Sequence, residues 1–127
     1  MKGALAAMLD PALLLRRAGV VPDAWQERVL RSRAERLLLC CSRQAGKSTV
    51  TAALALHAAL RRDGALVLLL APSLRQSREI HAKCAALHAA NAPGLGSWGR
   101  AKRRTRDELV LGHGSRVLAL PGAEATL

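Results

Sequence analysis

Leu37-Leu-Leu-Cys-Cys-Ser-Arg-Gln-Ala-Gly-Lys-Ser48 is the stretch on which the fold turns. Residues 37–41 are an unbroken apolar run, the pattern of a short strand buried on both faces. Residues 42–46 carry the small and polar types of a loop. From Lys47 to Arg62 the chain reads as a mostly apolar, alanine-rich helix, halted by Asp63-Gly64. Residues 65–71 repeat the strand pattern, and Pro72 ends it. Ser73 can cap a third helix through about Ala90, with Leu74, Ile80, Cys84 and Leu87 at helical spacing. Strand, helix, strand, helix in that order predicts a parallel sheet with right-handed crossovers.

Upstream, Asp10 can cap a short helix with Pro11 at its first position, ended by Gly19. Pro22-Asp23 opens another through Arg31, with Trp25, Val29 and Leu30 near one face. Downstream, residues 91–106 are rich in Gly, Pro and Arg and read as a loop. Residues 108–111 and 116–120 flank Gly112-His113-Gly114-Ser115 as a β-hairpin.

The 127 residues suffice for one small domain. Half are hydrophobic, which excludes disorder throughout. Trp25 and Trp98 are the only Phe, Tyr or Trp residues, so the core must be built from Leu, Val and Ala. The formal charge of +11 favours polyanionic partners, nucleotides or nucleic acid. Cys40 and Cys41 are adjacent and would point to opposite strand faces. With Cys84 the count is odd, so no disulfide framework is expected and a reducing compartment fits. Lys2 precedes a short apolar run, but Asp10-Pro11 and Arg16-Arg17 interrupt it before it could serve as a signal peptide. No apolar stretch approaches a membrane span, and the expectation is a soluble, cytoplasmic chain.

The strand-to-helix junction is the context of a phosphate-binding P-loop. There, backbone N–H groups and the helix N-terminus attract phosphates. Gly46 permits close backbone approach. Lys47 would place its charge on the β- and γ-phosphates, and Ser48 would offer a hydroxyl to Mg²⁺. Arg43 could stabilise transition-state charge from within the loop. The candidate ATP-binding set is Gln26, Ser42, Arg43, Gln44, Ala45, Gly46, Lys47, Ser48 and Thr49, with Lys47 and Arg43 in catalytic roles and Ser48 as metal ligand. The usual pattern has Gly where this chain has Cys41. An ordinary strand–turn–helix with an exposed lysine is the alternative.

Ser42-Arg-Gln-Ala-Gly-Lys-Ser-Thr49 resembles the variant Walker A of viral (bacteriophage) terminase large subunits, where an arginine commonly sits inside the loop. Pro22-Asp-Ala-Trp-Gln26 resembles that family's adenine-recognition segment. Leu68-Leu-Leu-Ala-Pro-Ser-Leu-Arg-Gln-Ser77 resembles its second strand and following motif. Pro121-Gly-Ala-Glu-Ala-Thr-Leu127 resembles the approach to its Walker B strand. The resemblance implies a partial P-loop NTPase, a RecA-like, additional-strand, three-layer sandwich left incomplete, plus a C-terminal hairpin. Residues 1–36 would supply adenine-side helices, 37–90 the P-loop core, 91–106 a basic loop and 107–127 the hairpin. It further implies ATP and Mg²⁺ as cofactors, and a motor that translocates viral double-stranded DNA into a capsid. The small terminase subunit and the portal protein would be its partners. A superfamily 2 helicase or translocase shares this P-loop chemistry. A non-enzymatic basic module that binds nucleic acid is the reading from another class.

No Asp-Glu pair follows an apolar strand, so no Walker B carboxylate is present. The expectation is an N-terminal fragment of the ATPase domain with little or no hydrolysis of its own. Arg100, Lys102, Arg103, Arg104 and Arg106 form a basic cluster suited to DNA phosphates. Gln26 could match adenine N6 and N7, while Trp25 reads as a core anchor. His81, Cys84 and His88 share one side of the third helix at a spacing that could offer three metal ligands, with no fourth evident.

Overall fold

The computed structural model describes residues 10–40 and 46–122. Residues 41–45, which hold most of the expected loop including Arg43, lie outside the described residues, as do 1–9 and 123–127. Helices α1 (Ala12–Arg17), α2 (Ala24–Leu30) and α3 (Lys47–Arg61) precede strand β1 (Leu66–Ala71) and the long helix α4 (Leu74–Asn91). A 3₁₀ turn (Ala92–Gly94) and strands β2 (Ala101–Arg104), β3 (Glu108–Leu111) and β4 (Arg116–Pro121) complete the order.

The helix ends follow local chemistry. The Asp10 carboxylate accepts from the Ala12 amide at 3.1 Å, and Gly19 closes α1 at φ 81°. Ser73 Oγ accepts from the Gln76 amide at 3.2 Å, and the Gln76 side chain accepts from the Ser73 amide at 3.3 Å. That reciprocal cap fixes where α4 begins, directly after Pro72.

The strands form one open sheet in the order β1-β4-β3-β2. Only β1 and β4 run parallel, with Leu69 opposite Ala119, while β4–β3 and β3–β2 are antiparallel. The sheet is thus mixed, where a parallel sheet plus a hairpin was expected. The hairpin expected at 108–120 supplies the antiparallel part by joining the same sheet. The fold is α/β. Val67 and Leu69 of β1 share a face with Val117, Ala119, Leu109 and Leu111, and this face packs beneath the helices. Leu14, Leu15, Leu56 and Leu60 fill the space above it, with Trp25 and Trp98 partly buried against the cluster.

The opposite face of β1 is uncovered among the described residues. Leu66 and Leu70 are 57% and 60% exposed. The third layer of the expected sandwich is therefore absent from the described residues. The strand expected at 37–41 does not form over its described part either. Residues 37–40 run as irregular chain, with Leu38 90% exposed. An apolar run of this type is stable as a strand only between covered faces. Here no described element covers that side of the sheet.

The expected loop at 91–106 contains β2, an edge strand of exposed residues. It pairs with β3, Arg103 opposite Val110 and Arg104 opposite Leu109, with an irregularity between Ala101 and Arg103. Asp107 and Glu108, at the start of β3, are both paired. Arg78 clamps the Asp107 carboxylate at 2.5 and 3.1 Å, and Arg116 reaches Glu108 at 2.9 Å.

One buried group makes stability depend on pH. Burial holds the His81 imidazole below its ordinary value of 6.5, although the Val117 backbone favours the protonated form. The unfolded chain therefore binds the proton more readily, and stability falls as pH drops below about 6.5, by at most about 1.4 kcal/mol per pH unit. The Asp10 and Asp107 carboxyls are held below 3.8, chiefly by hydrogen bonds from Arg31 and Arg78. Their contribution is present above that value and is lost only at lower pH. Urea unfolding midpoints are expected to fall between pH 7 and 5 in the parent and to flatten over that interval in His81→Gln. Equal slopes would contradict the assignment.

Candidate functional site

Gly46 adopts φ 88°, a left-handed conformation, at the head of α3. Glycine is the residue that enters this region without a Cβ penalty. It turns the chain into the helix with no side-chain cap and no acidic residue in the first turn. The N-terminal dipole is thus left uncompensated by α3's own side chains, as an anion site requires. The Gly46 carbonyl accepts from Val50 N at 3.2 Å, which closes the first turn, and from Gln26 Nε2, also at 3.2 Å.

Gln26 is buried and fully engaged by backbone. Its Oε1 accepts from the Asp23 amide at 2.8 Å, and its Nε2 donates to Gly46. It clips α2 to the bend before α3. A Cβ at Gly46 would stand 2.4 Å from Gln26 Nε2. Gly46→Ala is therefore expected to cost about 1–3 kcal/mol, from the left-handed conformation and from displacing the clip. Chemical denaturation checks this; Gln26→Ala in the same chain should recover the part owed to the clash.

Lys47 is exposed and Ser48 half-buried at the first turn of α3. Thr49 follows, half-buried, and the Thr51 hydroxyl donates to the Lys47 carbonyl at 2.9 Å. Ser48 lines a cavity of about 250 Å³ closed by Ala71, Pro72, Gln76, Glu79, Ile80 and Lys83. A more open hollow of about 450 Å³, shared at Ala71 and Pro72, continues past Leu70 and Gly122. Both lie at the carboxyl end of β1, where open α/β sheets bind ligands. The smaller is of a size for phosphates and a cation, and the Ser48 hydroxyl, the Gln76 amide and the Lys83 ammonium are donors at hand, beside the Glu79 carboxylate. Ser48 thus fits the oxygen-ligand chemistry of Mg²⁺. Bound there, Mg²⁺ would neutralise phosphate charge.

The structure brings Gln26, Gly46, Lys47, Ser48 and Thr49 to one end of α3. Ser42, Arg43, Gln44 and Ala45 lie outside the described residues. Sequence reasoning missed Glu79 and Lys83. Their signal was available: positions 76, 79, 80 and 83 have the spacing of one helix face. The His81, Cys84 and His88 ligand set does not assemble. The Cys84 thiol is pushed up to about 12 by burial, and a His88 ring nitrogen is hydrogen-bonded to the Gly99 carbonyl at 2.8 Å. Among the described residues no group of three His, Cys, Asp or Glu side chains is placed to hold a metal ion, and no helix is long and apolar enough to cross a membrane.

No protein-family model matches the chain, and no curated protein is detectably similar to it.

Proposed function

We propose that this chain is the ATP-binding portion of a DNA-packaging motor of the terminase large-subunit type. The observation that carries the reading is the bend at Gly46. A left-handed glycine, locked from below by Gln26, delivers Lys47 and Ser48 to the start of a helix beside a cavity at a strand's carboxyl end. In this reading the first-turn amides and Lys47 hold the β- and γ-phosphates, and Ser48 holds Mg²⁺. Arg43, outside the described residues, is assigned to the γ-phosphate by the sequence motif alone. Gln26 acts as the positioning residue for the cradle, its buried side-chain amide held between the Asp23 amide and the Gly46 carbonyl. The terminase assignment, with DNA, the small subunit and the portal as partners, rests on the four sequence motifs in order.

Binding to the native state raises the unfolding temperature by mass action, by about 2.7 kcal/mol at a hundredfold excess over Kd. Mg²⁺–ATP is expected to raise the melting temperature of the purified chain, and AMP, which lacks the β- and γ-phosphates, to leave it nearly unchanged. Equal shifts with both nucleotides, or none with either, would refute the nucleotide site.

A further inference from the structure

A second concavity lies away from Lys47, between the amino-terminal half of α4 and the β2–β3 turn. It measures about 810 Å³, and Arg75, Arg78, Arg104 and Arg106 surround it. Two carboxylates answer these four guanidiniums. Asp107 holds Arg78 by two hydrogen bonds, and Glu79 meets Arg75 at 3.6 Å where both are exposed. Among the described residues Arg104 and Arg106 make no ion pair.

The cleft is ordered by its own backbone. Arg104 stands opposite Leu109, a residue buried under the helices, so the register turns Arg104 towards α4. Arg103, one residue earlier, faces the other side, beside Glu108 at 3.5 Å. The Thr105 hydroxyl accepts from the Asp107 and Glu108 amides at 3.3 and 3.0 Å, which fixes the turn that presents Arg106. His81 forms the floor; it is 2% exposed, and its Nε2 has no hydrogen-bond partner. With Arg78 the only one of the four held by a close carboxylate pair, the cleft keeps an excess of positive charge for an anion to meet.

We propose that this cleft seats the phosphate backbone of duplex DNA. The inference deepens the DNA-handling part of the proposed function and rests on it for the kind of phosphate carrier. Guanidiniums match phosphate oxygens in pairs. No aromatic ring other than that of His81 lines the cleft, and Trp25 and Trp98 are both packed against the core. Without a stacking platform, a single strand loses its main source of affinity, whereas a duplex offers its backbone alone. Binding should therefore be independent of base sequence and steeply dependent on salt.

Fluorescence anisotropy with a short labelled duplex and the purified full chain tests this. Replacing Arg75, Arg104 and Arg106 together with alanine is expected to weaken binding at least tenfold and to reduce the log–log salt slope by about two to three. Lysine at the same three positions should restore most of the salt slope. Alanine at the exposed Arg28, Arg33 and Arg36 removes the same charge elsewhere and should change affinity by less than about threefold. Lys47→Ala should leave duplex binding intact, so failure of the cleft and failure of the nucleotide site are separable. Equal losses in the two alanine triples, tighter binding of a single strand, or no duplex binding by the parent would each overturn the proposal.

Discussion

Lys47→Ala is expected to weaken Mg²⁺–ATP binding by at least about a hundredfold, or roughly 2.7 kcal/mol, while leaving the melting temperature of the free chain within about a degree. The side chain is exposed and makes no ion pair among the described residues, so its removal leaves no cavity and no stranded partner. Its proposed role is confined to the ligand. An ammonium on the β- and γ-phosphates forms charge-assisted hydrogen bonds that water replaces poorly at a site partly walled by α3, β1 and α4. Lys47→Arg keeps the charge but lengthens and flattens the donor, and should recover only part of the affinity. Titration with a fluorescent ATP analogue, beside thermal unfolding without ligand, separates the two quantities. A variant that binds as the parent does would refute the role given to Lys47.

Leu56→Ala is expected to have the largest effect on stability, about 2–5 kcal/mol. Leu56 is fully buried at the middle of α3, over the sheet. Its helical neighbours Ala52, Ala53, Ala55 and Ala59 are buried too, and each is already as small as a side chain with a Cβ can be. None of these alanines can swing in to fill the space, so relaxation rests on shifts of the neighbouring leucines and a cost well above that of a surface change is expected. A domain of this size has only about 5–15 kcal/mol in total, so a fall of roughly 10 °C or more in melting temperature should follow. Leu56→Met, which conserves volume, should cost less than about 1.5 kcal/mol. Equal costs for the two variants would show that the packing has been misread.

The elements that sequence patterns located were those with strong local punctuation. Pro11, Gly19, Asp23, Gly64, Pro72 and Ser73 bracket α1, α2, β1 and α4, and each acts through its own backbone or hydroxyl chemistry. The hairpin was legible because Gly112 and Gly114 separate two apolar runs. Strand β2 was not, since Ala-Lys-Arg-Arg has no apolar alternation. It is an edge strand, where charge is tolerated and even protective. The register that turns Arg104 towards α4 depends on its pairing with β3, which no local pattern encodes. The run at residues 37–40 misled for the converse reason. Leucines alone make a strand only when the rest of the chain covers both faces, and coverage is a property of the assembled sheet. At the candidate site, Gly46, Lys47 and Ser48 could be named from spacing. The Gln26–Gly46 clip spans twenty residues and is visible only in three dimensions.

Amide chemical-shift mapping during a Mg²⁺–ATP titration tests the central claim most directly, because it reports where the triphosphate sits. A saturable shift centred on Gly46, Lys47, Ser48 and Thr49, absent in Lys47→Ala, is the predicted result. No saturation at those amides, or shifts confined to the arginines of β2 and α4, would contradict it and leave a basic polyanion-binding domain in its place.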